Sequence, residues 1–259
     1  MPLYSDRQIA LIRESGRIVA ECLELVRKNC VPGASTYDLD RLVGEHIKKR
    51  GGTSPFFGYE FPGKSPFPAS VCASVNDVVV HGVPDKVPLK AGDLVSLDVG
   101  VIKDGYIGDS AWTFSIGEPE ASAKRLLTAG EEALYAGIAA MRPKGKLTEV
   151  SRAIQTLVES RGYSVVRDYV GHGVGQSLHE DPQVPNYVQA GASILSMFRD
   201  TTLKPGMVLA VEPMVNEGTA QVVSVAGTWP VKTADGGRSV HFEHTVAVLR
   251  DRIEILTKL

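Results

Sequence analysis

The sequence is poor in cysteine and tryptophan, with three and two respectively, and it has no long apolar run. Cys22, Cys30 and Cys72 are odd in number and lack metal-type spacing, which argues against a disulfide framework and for a reducing, cytoplasmic compartment. No stretch approaches the ~18 consecutive apolar residues of a membrane helix. The opening segment MPLYSDRQIALIRESGR is too polar within its first turns for a secretory signal. Neither sign of charge dominates: 28 Lys and Arg face 30 Asp and Glu, for a formal net charge of −2. That balance removes the electrostatic case for nucleic acid or a membrane surface as the main partner. No Pro/Ser linker or low-complexity segment divides the 259 residues. One domain over 1–259 is expected, and a monomer, since no interface pattern is visible.

What the chain does contain is five ionisable residues in settings that resist charge. They are Asp98 in VSLDVG, Asp109 in GYIGDSAW, His172 in VGHGVG, Glu212 in LAVEPM and Glu243 in HFEHTV. Buried carboxylates are paired with cations or ligate metal. No Arg or Lys lies in those segments, so four acids would repel one another unless cations sit between them. An oxygen-rich set with one nitrogen donor suits a pair of divalent ions, and the leading reading is a two-metal hydrolase.

The chain also repeats itself. LKAGDLVSLDVG (89–100) aligns with LKPGMVLAVEPM (203–214), so that Asp98 falls on Glu212. Upstream, the helix-like run 39–51 aligns with 150–162 at nearly the same offset. Both runs follow a glycine, Gly33 or Gly145, and both end in Arg-Gly. Two pseudo-symmetric halves are expected, each delivering a carboxylate to a shared cleft. Periodicity predicts helices near 6–29, 36–50, 119–141 and 147–161, the last opening with Thr148 as its cap. Strands are predicted near 70–75, 78–81, 93–102, 105–115, 164–170, 207–215, 220–225 and 240–249. Hairpins rather than strict strand–helix alternation make the fold class α+β.

Parity places the acids. Asp104-Gly105 is a strong hairpin signal, and a two-residue loop there puts Asp98 and Asp109 on one face, opposite or diagonal. Such neighbours have Cβ atoms roughly 4.5–8 Å apart, close enough to share ions. In HFEHTVAVL, alternation sets His241, Glu243 and Thr245 on one face and His244 on the other, so His244 reads as a packing residue. Pro213 ends the strand that carries Glu212. His81 in VVVHGVP and His179 in QSLHEDP stand at loop entries, where an imidazole could touch a substrate carbonyl or move a proton.

Taken together, VHG, SLDVG, GDSAWTF, GHGVGQSLHEDP, LAVEPM and FEHT resemble the type I methionine aminopeptidases, from about residue 6 onward. The resemblance implies the pita-bread fold: two pseudo-symmetric halves, a curved antiparallel sheet and flanking helices. It implies removal of the N-terminal methionine from nascent proteins and peptides, at the ribosome, with a small second residue preferred and water activated by two divalent ions (Co, Mn, Fe or Zn). By the same resemblance Asp98, Asp109 and Glu243 hold one ion, and Asp109 and Glu243 bridge to a second held also by His172 and Glu212. Glu212 would assist proton transfer, and His81 and His179 would contact substrate around the scissile bond. Cys72, Tyr59, Phe67 and Trp229 become candidates for the methionine pocket, and Asn76, Val78 and Ser239 for a monovalent-cation site. Two segments look longer than usual, 59–72 and 186–203, and Leu178 stands where bacterial relatives tend to carry Phe. Prolidases and Xaa-Pro aminopeptidases use the same ligand set and are the alternative. A non-catalytic pita-bread binding module is remote, because such modules lose ligands.

Overall fold

The computed structural model describes residues 1–188 and 200–258. Among them are four α-helices, α1 (Asp6–Asn29), α2 (Thr36–Lys49), α3 (Ala121–Ala140) and α4 (Leu147–Ser160), close to the expected spans. In α1 the buried residues Ile9, Ile12, Val19, Leu23 and Val26 recur at helical spacing. Ser5 caps it, taking the Gln8 N–H while the Gln8 side chain reaches back to the Ser5 N–H. Ser35 caps α2. Thr148 does not cap α4; it lies inside the first turn, where its hydroxyl donates to Asp200 Oδ1 at 3.0 Å. Asp200 thus supplies from a distance the acceptor that sequence reasoning assigned to Thr148.

The strands are β1 (Cys72–Val75), β2 (Val78–Val80), β3 (Leu94–Lys103), β4 (Tyr106–Ser115), β5 (Ser164–Val165), β6 (Gly171–Gly173) and β7 (Glu180–Val184). After them come β8 (Val208–Val211), β9 (Met214–Asn216), β10 (Val222–Ser224), β11 (Val231–Thr233), β12 (Ser239–His241), β13 (His244–Val248) and β14 (Ile253–Ile255). All pairing is antiparallel, in the orders β1-β3-β4, β10-β11-β2, β12-β9-β5 and β14-β13-β8-β6-β7. Periodicity did not resolve β6, β7, β11 and β14, which are short. It also merged two pairs of strands: the run 207–215 breaks at Glu212-Pro213, and 240–249 breaks at Phe242-Glu243.

The duplication is structural. Gly33 N–H donates to Leu89 O at 2.9 Å and Leu89 N–H to Ala34 O at 2.8 Å. Their counterparts are Lys144 N–H to Leu203 O at 2.8 Å and Leu203 N–H to Gly145 O at 2.9 Å. Gly92 and Gly206 turn with φ of 94° and 96°. The partner of Gly33 (φ 89°) is therefore Lys144 (φ 69°), and Gly145 answers Ala34, at the same offset as the aligned helical runs.

Each half has its own apolar core. One lies between α1, α2 and β3 (Val19, Leu39, Val43, Leu97), the other between α3, α4, β8 and β13 (Leu134, Ile154, Leu209, Val246). Helix α1 crosses β4 with almost no gap, because a Cβ on Gly108 would come within 2.5 Å of Gly16 N and one on Gly16 within 2.4 Å of Leu256 O.

Candidate metal centre and substrate cavity

The β3–β4 hairpin turns at Asp104 (φ 51°) and Gly105 (φ 78°), both left-handed as a type I′ turn requires. Its register sets Gly100 opposite Asp109, and Asp98 opposite both Ala111 and Cys72. Asp98 and Asp109 are thus diagonal neighbours on one face, as parity required. In the second half β8 ends at Val211, so Glu212 stands just past the strand end, and its main-chain oxygen accepts from Asn186 Nδ2 at 3.0 Å. Glu243 sits in the gap between β12 and β13, with its N–H on Ala111 O at 2.9 Å. The halves are stitched along that line by hydroxyls. Thr245 Oγ1 donates to Asp109 O at 2.7 Å, Thr113 Oγ1 to His241 O at 2.9 Å, and Ser110 Oγ to Glu243 O.

His172 projects from β6, opposite Ala210. The flanking glycines are needed there: a Cβ on Gly171 would lie 2.3 Å from Ala210 O, and one on Gly173 2.6 Å from Asp181 O. His172 Nδ1–H donates to Gly173 O at 3.0 Å, which leaves a lone pair on Nε2. That nitrogen stands 3.4 Å from Glu212 Oε1 and 4.0 Å from Asp109 Oδ2. Ligand atoms of Asp109, His172 and Glu243 lie within 4.8 Å of one another.

The electrostatics are those of a site built for cations. Burial, then Asp109 and Glu212, hold the Asp98 carboxyl well above the usual range; burial and the same neighbours do likewise for Glu243. Asp109 is pushed up to about 8 by burial and Glu212, and Glu212 to about 8 by burial. Burial lowers His172 to about 3, so its imidazole is neutral, the form that ligates. Asp98 Oδ1, Asp109 Oδ1 and Glu243 Oε1 are buried with no hydrogen-bond partner. Orphaned acceptors at this depth are costly. Three of them beside a free imidazole nitrogen fit divalent ions.

His241 also belongs here. It is buried on β12, and its Nε2 lies 3.4 Å from Glu212 Oε2. Strand alternation put it on the Glu243 face, but its reach to Glu212 depends on the break after β12. His244 faces away, with Nδ1 2.9 Å from Thr257 Oγ1 and its ring beside Trp112.

Above the five residues opens a cavity of about 820 Å³. It is lined by all the proposed substrate contacts, Tyr59, Phe67, Cys72, His81, His179 and Trp229. Phe67 meets Trp229 edge-on at 5.3 Å between ring centres, and Tyr59 OH lies 3.0 Å from His179 Nδ1. His81 has a left-handed backbone (φ 59°), and its buried Nδ1 has no partner. Burial lowers His81 to about 4 and also lowers His179. Leu178 lines the cavity as well. Of the cation-site candidates, Asn76 O accepts Ser239 N–H at 2.9 Å, while Val78 pairs with Lys232 on the neighbouring strand. Most of the long segment 186–203 lies outside the described residues.

Residues 10–250 match metallopeptidase family M24. Methionine aminopeptidase 1 of Bacillus subtilis is 46% identical over 255 residues, covering 98% of each chain. The crystal structure of methionine aminopeptidase from Thermotoga maritima superposes with a TM-score of 0.92 at 42% identity, over 100% of both chains. The prolidase of Pyrococcus furiosus shares the fold alone, with a TM-score of 0.75 at 20% identity over 65% of its length. The chain belongs to metallopeptidase family M24, and within it to the methionine aminopeptidases.

Proposed function

We propose that residues 1–259 act as one catalytic domain that removes the N-terminal methionine from nascent proteins and peptides, with a small second residue preferred. One observation carries this reading: Asp98, Asp109, His172, Glu212 and Glu243 converge on one cavity, with carboxylate oxygens that no protein group satisfies. Asp98, Asp109 and Glu243 would hold one divalent ion, and Asp109, His172, Glu212 and Glu243 a second. When bound, the ions (Co, Mn, Fe or Zn) supply Lewis acidity and make water nucleophilic near neutral pH.

The remaining work belongs to side chains. Tyr59 OH and His179 Nδ1 share a hydrogen bond; in the arrangement proposed here the hydroxyl donates, so that His179 would keep its proton on Nε2 and offer it to the oxygen of the scissile carbonyl. His81 is neutral at pH 7 and lies in the same cavity, positioned to hold the peptide group. Glu212 takes the proton of the attacking water and delivers it to the departing amide nitrogen. Tyr59, Phe67, Cys72 and Trp229 give the methionine thioether an apolar, polarisable wall. The domain would work as a monomer on chains emerging from the ribosome in the cytoplasm. Among the described residues no helix is long and apolar enough to cross a membrane.

The test is release of the first residue from Met-Ala-Ser, Met-Lys-Ser and Ala-Pro-Ser by metal-stripped protein reloaded with each ion in turn. Methionine should be released from Met-Ala-Ser and far more slowly from Met-Lys-Ser. Cleavage of Ala-Pro-Ser without Met-Ala-Ser would give the chain prolidase-type specificity and overturn the proposal, as would no release with any ion.

A further inference from the structure

The segment after Tyr59 is an ordered wall beside the cavity. Gly58 N–H donates to Phe67 O at 2.8 Å and Phe67 N–H to Tyr59 O at 2.9 Å, which closes the base of a loop over 60–66. The tip is pinned from the other side, since Trp229 Nε1–H donates to Ser65 O at 2.9 Å. Lys64 is carried on that tip. Its Nζ lies 4.8 Å from the Trp229 ring centre and 5.4 Å from that of Phe61, so two aromatic faces hold the ammonium in place.

Lys64 lines the cavity and is half-buried, yet no ion pair joins it to a carboxylate among the described residues. The other charges at the mouth differ. Glu180 is occupied by the Tyr4 hydroxyl at 2.7 Å and by the Gln176 and Ser177 N–H groups. Asp168 and Asp181 are exposed and solvated. The Lys64 charge is felt inside, where it opposes protonation of His81. A partly desolvated cation without an anion is incomplete.

Resting on the reading above, we propose that Lys64 is a specificity-determining residue that selects substrates with a side-chain carboxylate at their third residue. The reach fits once the substrate side chain is added. His81, which would touch the scissile peptide group, is 6.4 Å from the Trp229 ring centre, and Lys64 Nζ is 4.8 Å from it. The two therefore lie at most about 11 Å apart, and a Glu side chain extends the backbone's span toward the ammonium. Two residues of extended chain span about 7 Å.

The experiment compares C-terminally amidated Met-Ala-Glu-Ser, Met-Ala-Gln-Ser and Met-Ala-Lys-Ser, so that no terminal carboxylate competes. A separate pair, Met-Ala-Ser as free acid and as amide, reads capture of the terminus. The metal-loaded native protein should cleave the Glu peptide with kcat/KM about fivefold above the Gln peptide, the effect of a partly exposed ion pair. The preference should weaken with added salt. In Lys64→Gln the Glu:Gln ratio should fall to about one, and in Lys64→Arg it should persist. A native ratio near one, a ratio that survives Lys64→Gln, or a preference for the Lys peptide would overturn the proposal. A preference for the free acid of Met-Ala-Ser with no Glu:Gln difference would also overturn it. Failure to release methionine from every peptide, Gln included, would instead refute the underlying reading of the site.

Discussion

Replacing Glu243 by Gln should make the metal-stripped protein more stable and the metal-loaded protein less stable. Glu243 is 2% exposed, its Oε1 has no partner, and its ligand atom lies within 4.8 Å of that of Asp109. At an effective dielectric constant of about 20, two like charges at that distance repel by about 3 kcal/mol. Gln keeps the shape and removes the charge, at the cost of burying an amide. The net gain for the stripped protein should therefore be about 1–3 kcal/mol. For a chain of this size each kcal/mol moves Tm by about 2–4 °C. The comparison requires Glu243, itself held well above its usual range by burial, to be ionised together with its neighbours Asp109 and Glu212, so the gain should grow as pH rises. Both neighbours have folded-state values pushed up to about 8, above their values in the unfolded chain. In the stripped protein their contribution favours folding at low pH and is lost as pH rises toward 8, so the assay is run at about pH 9. Under chelator, calorimetry should show the variant melting several degrees above the native protein. With Mn or Co at a hundredfold excess over Kd, the native protein should gain about 2.7 kcal/mol per ion, and the variant much less. The two melting curves should then exchange order. If the stripped variant melts below the stripped native protein, Glu243 is held by protein contacts and the ligand assignment fails.

Two further outcomes follow from geometry. Gly16→Ala should destabilise by about 1–3 kcal/mol in urea unfolding despite alanine's better helix propensity, because its Cβ would sit 2.4 Å from the Leu256 carbonyl oxygen; a stabilised variant would disprove the close crossing. Tyr59→Phe should lower kcat about fivefold, the worth of one hydrogen bond, with Tm unchanged. An unchanged kcat would remove Tyr59 from the orientation of His179.

What was legible in the sequence was whatever obeys a period or a local rule. Parity across Asp104-Gly105 placed Asp98 beside Asp109, and the LKxG repeat paired Asp98 with Glu212, because register and turn chemistry are properties of a few consecutive residues. The four helices announced themselves through apolar spacing. What failed depended on distant residues. The Asp200 carboxylate replaces Thr148 at the start of α4, some fifty positions away. The break at Phe242-Glu243 interrupts a run that reads as one strand over 240–249, whereas the one at Glu212-Pro213 was marked by the proline. The hydroxyls of Ser110, Thr113 and Thr245 carry no signal at all until β4 lies along β12 and β13.

The seam itself has a consequence for how this enzyme can diverge. Of the proposed ligands, two come from the β3–β4 hairpin, two from β6 and the end of β8, and Glu243 from the break between β12 and β13, so neither half would hold a working set alone. On that reading ion binding would clasp the halves together, and drift in one would have to be matched in the other. The loop over 60–66 hangs from its own closed base and is pinned at its tip by Trp229. On these proposals the chemistry would rest on the seam and third-residue selectivity on the loop tip, so the tip would be free to be rewritten while the floor stays fixed.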